Sequence, residues 1–341
     1  MKKILKLIII ILLILSFIVI IYNIKLKSDL KKLGYNDNQI LTFYDKDINI
    51  KKILETDYCP NIDLLLNNYD DTFYEKLNNC NIKDEINNKG ENNDKEDPKI
   101  TKLMREKYYI PSNLDRYLKY WDESKTTKEI VSEVNCNLDY PYYTNTRKTD
   151  LSKGNLILVN KYYYVDENFV PNNKKVLKQN VYSYWEGAEL SGDAYEAFIT
   201  LVDDAKELGY KLIDTSPYRT YSYQSYLYNN YVDRDGVEEA DTYSARPGHS
   251  EHQTGLATDI VKIGVSMYDF YSTKEFLWLK DNAHKYGFIL RYPEGKEHLT
   301  GYMYEPWHYR YVGESVAKYI YENDIVYEEY YAYYCEYKNE C

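Results

Sequence analysis

The stretch from Arg246 to Asp259, reading R-P-G-H-S-E-H-Q-T-G-L-A-T-D, constrains this chain more than any other. It is answered by Glu305-Pro306-Trp307-His308. The first segment offers His252 and, further on, Asp259; the second offers His308, with Glu305 one short step before it. An unbroken strand from His252 to Asp259 would point the two side chains to opposite faces, because side chains alternate with a period of two. A bend must intervene if both are to face one ion, and Thr254-Gly255 supplies it. Beyond the bend, Leu256 to Ile263 alternates as a strand, with Asp259 on one face and Leu256, Ile260 and Val261 available for packing. Pro306 cannot donate a ladder hydrogen bond, so the Glu305 to His308 stretch is expected at a bulge or a kinked edge.

Two imidazoles and one carboxylate form a three-ligand set for Zn²⁺ with an open fourth position, which separates catalytic sites from closed structural ones. Water in such a position loses a proton near neutral pH, and a carboxylate beside it can take that proton and later deliver it to a leaving amine. Glu305 is the candidate for this carboxylate. Any one of the five histidines (His249, His252, His284, His298, His308) would ordinarily be a core or surface residue. The joint occurrence of a His, an Asp and an E-x-x-H with Gly-containing turns is what favours a metal site.

At the N-terminus, Lys2, Lys3 and Lys6 precede an apolar run from Leu7 to Ile24 interrupted only by Ser16, Tyr22 and Asn23. Its length approaches the roughly 20 residues that a helix needs to cross a bilayer. No small-residue cleavage signature follows, so an uncleaved anchor over residues 1–27 is expected, with the lysines inside and the rest of the chain extracytoplasmic.

What remains is long enough for one substantial domain and a smaller one. The formal net charge of −11, with no basic patch, excludes nucleic acid as a natural partner and leaves targeting to the anchor. The 43 tyrosines accompany an abundance of Asn, Lys and Ile, a pattern that codon bias explains without invoking an aromatic binding surface. Five cysteines show no C-x-x-C pair and no metal-like spacing, and their odd number leaves at least one unpaired or bonded between chains. Cys59 with Cys80, or Cys335 with Cys341, can close a loop.

Along the chain, Ser28 to Cys80 alternates short apolar groups with polar turns, which suits small helices. Asn81 to Lys99 is nearly all charged or amide residues and reads as a flexible linker. Helical patterning resumes from Ile100 to Asn135, and Asn137 to Lys153 is rich in turns. Residues 28–150 therefore read as a helical spacer, and a second domain, 151–335, opens with a strand-like run from Leu156 to Val159. Asp193 to Leu208 carries a clean apolar helix face ended by Gly209. Lys211 to Asp214 is a short strand that delivers Ser216-Pro217-Tyr218-Arg219-Thr220, followed by a helix over Tyr223 to Tyr231. Arg219 thus sits at a strand-to-helix junction with Gln224 one turn beyond. A guanidinium there suits a planar carboxylate or amide, with a surface ion pair as the bland alternative. Helices over Phe276 to Tyr286 and Val312 to Tyr321 and a strand from Phe288 to Leu290 complete an α+β domain. Its small, largely antiparallel sheet is flanked by helices.

From about Leu156 to Tyr330 the chain resembles the VanY-type D-alanyl-D-alanine carboxypeptidases, in the zinc peptidase group that includes VanX-type dipeptidases and the hedgehog-like fold. The pattern S-x-H-x-x-G-x-A-x-D is matched by Ser250, His252, Gly255, Ala257 and Asp259, and E-x-W-H by Glu305, Trp307 and His308. Ser216, Tyr218, Arg219, Thr220 and Gln224 match S-x-Y-R-[ST]-x-x-x-Q. The resemblance implies that His252, Asp259 and His308 bind zinc, that Glu305 is general base and acid, and that Arg219 polarises the scissile carbonyl or its oxyanion. It further implies that Ser250 and Gln224 help to hold the C-terminal carboxylate of the peptide.

The expectation is a membrane-anchored zinc carboxypeptidase that removes the C-terminal D-Ala from peptidoglycan stem peptides. A non-catalytic wall-binding protein is the rival of another class, but it would need no Glu305 beside three ligands. An L,D-carboxypeptidase or an endopeptidase on the same wall peptides stays open, the latter requiring a groove open at both ends.

Overall fold

The computed structural model describes residues 22–35, 37–46, 48–56, 59, 62–67, 73–78 and 97–341. They belong to two compact units, Met1–Leu114 and Asp115–Cys341. In the first, helical segments at 22–33, Asp37–Asp45, Ile50–Leu54, Ile62–Asn67 and Phe73–Asn78 bury Leu30, Ile40, Phe43, Ile53, Ile62 and Phe73 in one core. This is the small-helix pattern read from the apolar groups, although Leu41 is turned to solvent. The stretch expected as a linker ends in order: the Asp97 side chain accepts from the Lys99 amide and caps a helix over Pro98–Leu103. Its remainder lies outside the described residues, as does the anchor expected over 1–27 up to residue 21. Among the described residues no helix is long and apolar enough to cross a membrane.

The second unit holds the motifs. Helix α1 (Thr127–Asn135) begins with a capping box between Thr126 and Glu129. Two short strand pairs follow: β1 (Arg147–Lys148) is parallel to β2 (Tyr163–Tyr164), and β3 (Lys174–Val176) is antiparallel to β4 (Glu189–Ser191). Helix α2 (Gly192–Glu207) buries Ala194, Phe198, Leu201, Val202 and Ala205, the face that its apolar spacing indicates, while Leu208 is left outside it and exposed. Then come β5 (Leu212–Ser216), α3 (Tyr221–Asp235), α4 (Val237–Tyr243), β6 (Ala257–Lys262), α5 (Lys274–Asn282), β7 (Phe288–Leu290), β8 (His308–Tyr311) and α6 (Glu314–Asn323).

Strands β5, β6, β8 and β7, in that spatial order, make a four-stranded sheet whose neighbours are all antiparallel. The α+β expectation thus describes this unit. Leu201, Phe198, Ile260, Phe270, Phe276, Phe288, Trp307 and Tyr309 belong to one core cluster built on this sheet and the helices α2 and α5.

Three expectations are corrected. Leu156 to Val159 forms no strand: a 3₁₀ turn covers Leu151–Leu156, and the Asn155 and Ile157 carbonyls accept from Arg310 Nη2 at 2.9 and 2.7 Å instead of from a ladder partner. The Glu305 to His308 stretch is not at a sheet edge. β8 lies between β6 and β7, and Glu305-Pro306-Trp307 is the turn that enters it, closed by His308 N to Glu305 O. Lastly, the helix expected over Val312 to Tyr321, observed as α6, does not complete the domain, because α7 (Tyr327–Tyr330) follows it and continues as a wider π-type turn over Tyr331–Tyr337. Cys335, within that turn, is disulfide-bonded to Cys341 beyond it, and Cys136 is a free buried thiol.

The bend required between His252 and Asp259 is made by Gly255, at φ 68°, in the left-handed region that closes a 3₁₀ turn over Glu251–Thr254. Its carbonyl accepts from Ser191 N at 2.8 Å, and a Cβ on Gly255 would meet that nitrogen at 3.0 Å. Gly264 is also left-handed, at φ 80°, but has nothing within 4 Å of its would-be Cβ. Gly255→Ala is therefore expected to cost the upper part of roughly 1–3 kcal/mol in a denaturant titration, and Gly264→Ala the lower part. Equal losses would mean that the approach to Ser191 carries no cost.

Candidate active site

Asp259 and His308 sit directly opposite each other in the β6–β8 ladder, and Ser216 faces Asp259 across β5–β6. Cross-strand partners share a face and bring their Cβ atoms close, so sheet register alone unites two residues far apart in sequence. His252 joins them from the 3₁₀ turn before Gly255. Nδ1 of His308 lies 3.0 Å and Nε2 of His252 3.5 Å from the same Asp259 Oδ1. All three residues are buried, and one ligand atom from each lies within 4.8 Å of the others.

The opposite ring nitrogens are held from behind. His252 Nδ1 is 3.0 Å from the Pro217 carbonyl, so it carries the proton and leaves the Nε2 lone pair facing Asp259. That Nε2 is buried and has no hydrogen-bond partner. An orphaned imidazole nitrogen converging with a second imidazole and a carboxylate fits a zinc ion, whose usual ligands are these groups.

The electrostatics point the same way. Burial opposes the Asp259 charge, yet His252 and His308 outweigh it and hold the carboxyl well below the usual range. Burial and the charge of Arg219 push His252 down to about 4. Against burial, the bonds of His308 to Asp259 and Glu251 and the charges of Asp259 and Glu305 raise it to about 9. Glu305 is pushed up to about 8, first by burial and then by Asp259, with His308 and Arg219 opposing. Its Oε2 is 3.7 Å from His308 Nδ1, on the side of the ring that faces Asp259. Carboxylates gathered this tightly leave a place for a cation.

Arg219 and Gln224 are also brought together. Gln224 is buried at the start of α3, where its Oε1 accepts from Arg219 Nη1 at 2.9 Å and its Nε2 donates to the Ala245 carbonyl at 2.7 Å. Both ends of that amide are engaged inside the protein, so its direct effect is to orient the guanidinium. Arg219 N donates to the His252 carbonyl, while its Nε is buried and unpartnered. Ser250, also buried, lines the same cavity of about 560 Å³ as Arg219, Gln224, Glu305 and the three candidate ligands.

The sequence reading missed several residues of this neighbourhood. Asp214, buried, accepts from Ser216 N and from the hydroxyls of Thr258 and Ser183, which pins the end of β5 ahead of the Arg219 loop. Burial and the nearby Asp259 raise it to about 7 against those bonds. Tyr292 lays its ring against His308 at 4.8 Å between centroids. Glu251, inside the motif itself, faces the far nitrogen of His308. Its place inside the motif, next to His252, was the one visible signal, and its partners lie too far along the chain to be read from it.

Two imidazoles, an aspartate, a buried glutamate and an oriented guanidinium on one cavity form the donor arrangement of a metal-dependent hydrolase. A family model described as VanY: D-alanyl-D-alanine carboxypeptidase matches residues 187–314. A putative carboxypeptidase YodJ of Bacillus subtilis (strain 168) is 40% identical over 221 residues, which are 61% of this chain and 80% of that one. A D-alanyl-D-alanine carboxypeptidase of Enterococcus faecium is 36% identical over 192 residues, 52% of this chain and 57% of that protein. Among solved structures, the LdcB LD-carboxypeptidase superposes with a TM-score of 0.52 at 40% identity, covering 56% of this chain and 91% of its own. The chain belongs to the VanY family of zinc peptidases.

Proposed function

We propose that this protein is a membrane-anchored carboxypeptidase that releases the terminal D-Ala of peptidoglycan stem peptides outside the cytoplasm. The observation that carries the reading is the placement of Glu305 beside the His252, Asp259 and His308 set, in one cavity with Arg219. A wall binder would have no use for a buried proton-accepting group there.

His252, Asp259 and His308 would hold the zinc ion. Bound there, zinc supplies Lewis acidity that polarises a carbonyl and eases the deprotonation of water. Glu305 takes the proton of the attacking water and returns it to the departing amine of D-Ala. Arg219, held by Gln224, directs its N–H groups at the carbonyl oxygen as negative charge develops on it. Ser250, on the cavity wall, would donate to the terminal carboxylate.

A second reading concerns the bond that is cut. The likeness to LdcB, named an LD-carboxypeptidase, favours cleavage of a tetrapeptide after its third residue, whereas the VanY family description favours the D-Ala-D-Ala bond of a pentapeptide. Both release D-Ala from a stem peptide.

Three outcomes are expected. In the full-length chain Glu305→Gln retains zinc, which His252→Ala loses, and turnover falls by more than about 10²-fold; near-wild-type turnover would point to another base. At equal concentrations, pentapeptide and tetrapeptide stems lose D-Ala faster than free D-Ala-D-Ala is hydrolysed, with only a weak preference for the pentapeptide. Fastest hydrolysis of the free dipeptide would sink the stem-peptide assignment. Protease added to intact, wall-stripped cells degrades the chain from about Lys27 onward, since the lysines ahead of Leu7 stay inside. A protected C-terminal unit would overturn the anchor.

A further inference from the structure

Behind His308 lies a second set of charges, more deeply buried than the site itself. Glu251 Oε1 accepts from Arg291 Nε at 2.8 Å and from Arg310 Nη1 at 3.1 Å, while Oε2 lies 3.4 Å from His308 Nε2. The side chains of Glu251, Arg291 and Arg310 have no exposed surface. Arg291 turns its other nitrogens to the Glu328 carboxylate on α7, with Nη1 to Oε2 at 2.9 Å. Glu328 in turn accepts from Asn160 Nδ2 at 3.1 Å. The Tyr327 ring lies against both guanidiniums, with centroid distances of 5.6 and 5.4 Å.

The topology explains why these groups meet. Arg310 follows His308 by two positions on β8 and therefore shares its face. Arg291 leaves the end of β7 with its amide donating to the His308 carbonyl. Glu251 neighbours His252 in the 3₁₀ turn but reaches the opposite side of His308. Two guanidiniums and two carboxylates balance, so the cluster tolerates burial.

We propose that Glu251 is the positioning residue that makes His308 a metal ligand through Nδ1, and that Arg291, Arg310 and Glu328 exist to hold Glu251 in that task. The inference rests on the zinc reading above. A carboxylate can only accept, so with both oxygens confined, the one facing His308 requires a proton on Nε2. That proton leaves the Nδ1 lone pair turned toward Asp259, where an ion would sit. Outer carboxylates of this kind fix the tautomer and ring orientation of a ligating histidine. Glu251 is no ligand itself, because it lies on the far nitrogen and its charge is taken up by the arginines.

Glu251→Gln separates this role from general packing. The amide has one acceptor, which the two guanidiniums claim, and its NH₂ then faces His308 Nε2. The ring must accept at Nε2 and carry its proton on Nδ1, the ligand atom. Glu328→Gln disturbs the same buried cluster without touching His308 and serves as the control.

In the full-length protein, zinc affinity measured by competition with a chromophoric chelator is expected to fall about 10–100-fold in Glu251→Gln. In Glu328→Gln it should stay within about threefold of wild type, and imidazole ¹⁵N spectra should show the His308 proton moved to Nδ1 only in Glu251→Gln. Wild-type affinity in Glu251→Gln, or an equal fall in both variants, overturns the inference while leaving the zinc reading intact. Absence of zinc binding in wild type removes both. Should Glu251→Gln not fold, the zinc-loaded wild type decides alone: His308 protonated on Nε2 supports the proposal, and His308 ligating through Nε2 overturns it.

Discussion

The antiparallel register between β6 and β8 is the constraint on which the site depends. It sets Asp259 directly against His308, and a slip of one residue would turn one of the pair to the other face of the sheet. The register is held from both ends: Ile260 N donates to the Trp307 carbonyl and Tyr311 N to the Leu256 carbonyl, each at 2.8 Å. It is also held by burial, because Trp307 and Tyr309 belong to the main core while His308 and Arg310 alternate with them on the other face. Packing of the one pair of side chains thus fixes the chemistry of the other.

Around this register the protein gathers more charge than an apolar interior tolerates, and each charge is answered by a particular partner. Asp259 is answered by two imidazoles, Glu251 by two guanidiniums, and Asp214 by two hydroxyls and an amide. Glu305 is the exception. It has no cationic partner closer than the His308 ring, and burial raises its proton affinity. A group that holds a proton more firmly than an exposed carboxyl, yet borders on the cation site, is suited to accept and return one in the proposed reaction. Arg219 is the matching exception on the cationic side, with a buried Nε left unpartnered.

Much of the site could be read from short-range pattern. The E-x-W-H pattern, the glycine after the second motif histidine and the strand-to-helix placement of Arg219 are all local, and each has its structural counterpart in Glu305 to His308, Gly255 and the β5–α3 junction. What misled was equally local. Leu156 to Val159 looked like a strand because an apolar run suits extended backbone, but two of the nearby carbonyls are taken by a side chain from β8. Pro306 suggested a bulge or a kinked edge, yet it sits in the turn before an interior strand, where no ladder bond is asked of it. The helical turns from Tyr327 escaped notice because a run crowded with tyrosines shows no clean apolar period, and it is burial of Tyr327, Glu328 and Glu329 that orders it.

The sequence by itself determined the donor types, the bend that lets two of them converge and the family to which they point, because these depend on residue identity at short spacing. Tertiary structure alone decided that Asp259 faces His308 and that Glu251 stands behind His308 between Arg291 and Arg310. These contacts join segments that only the pairing of distant strands brings together. A buried charge reveals its purpose only once its partner is in place.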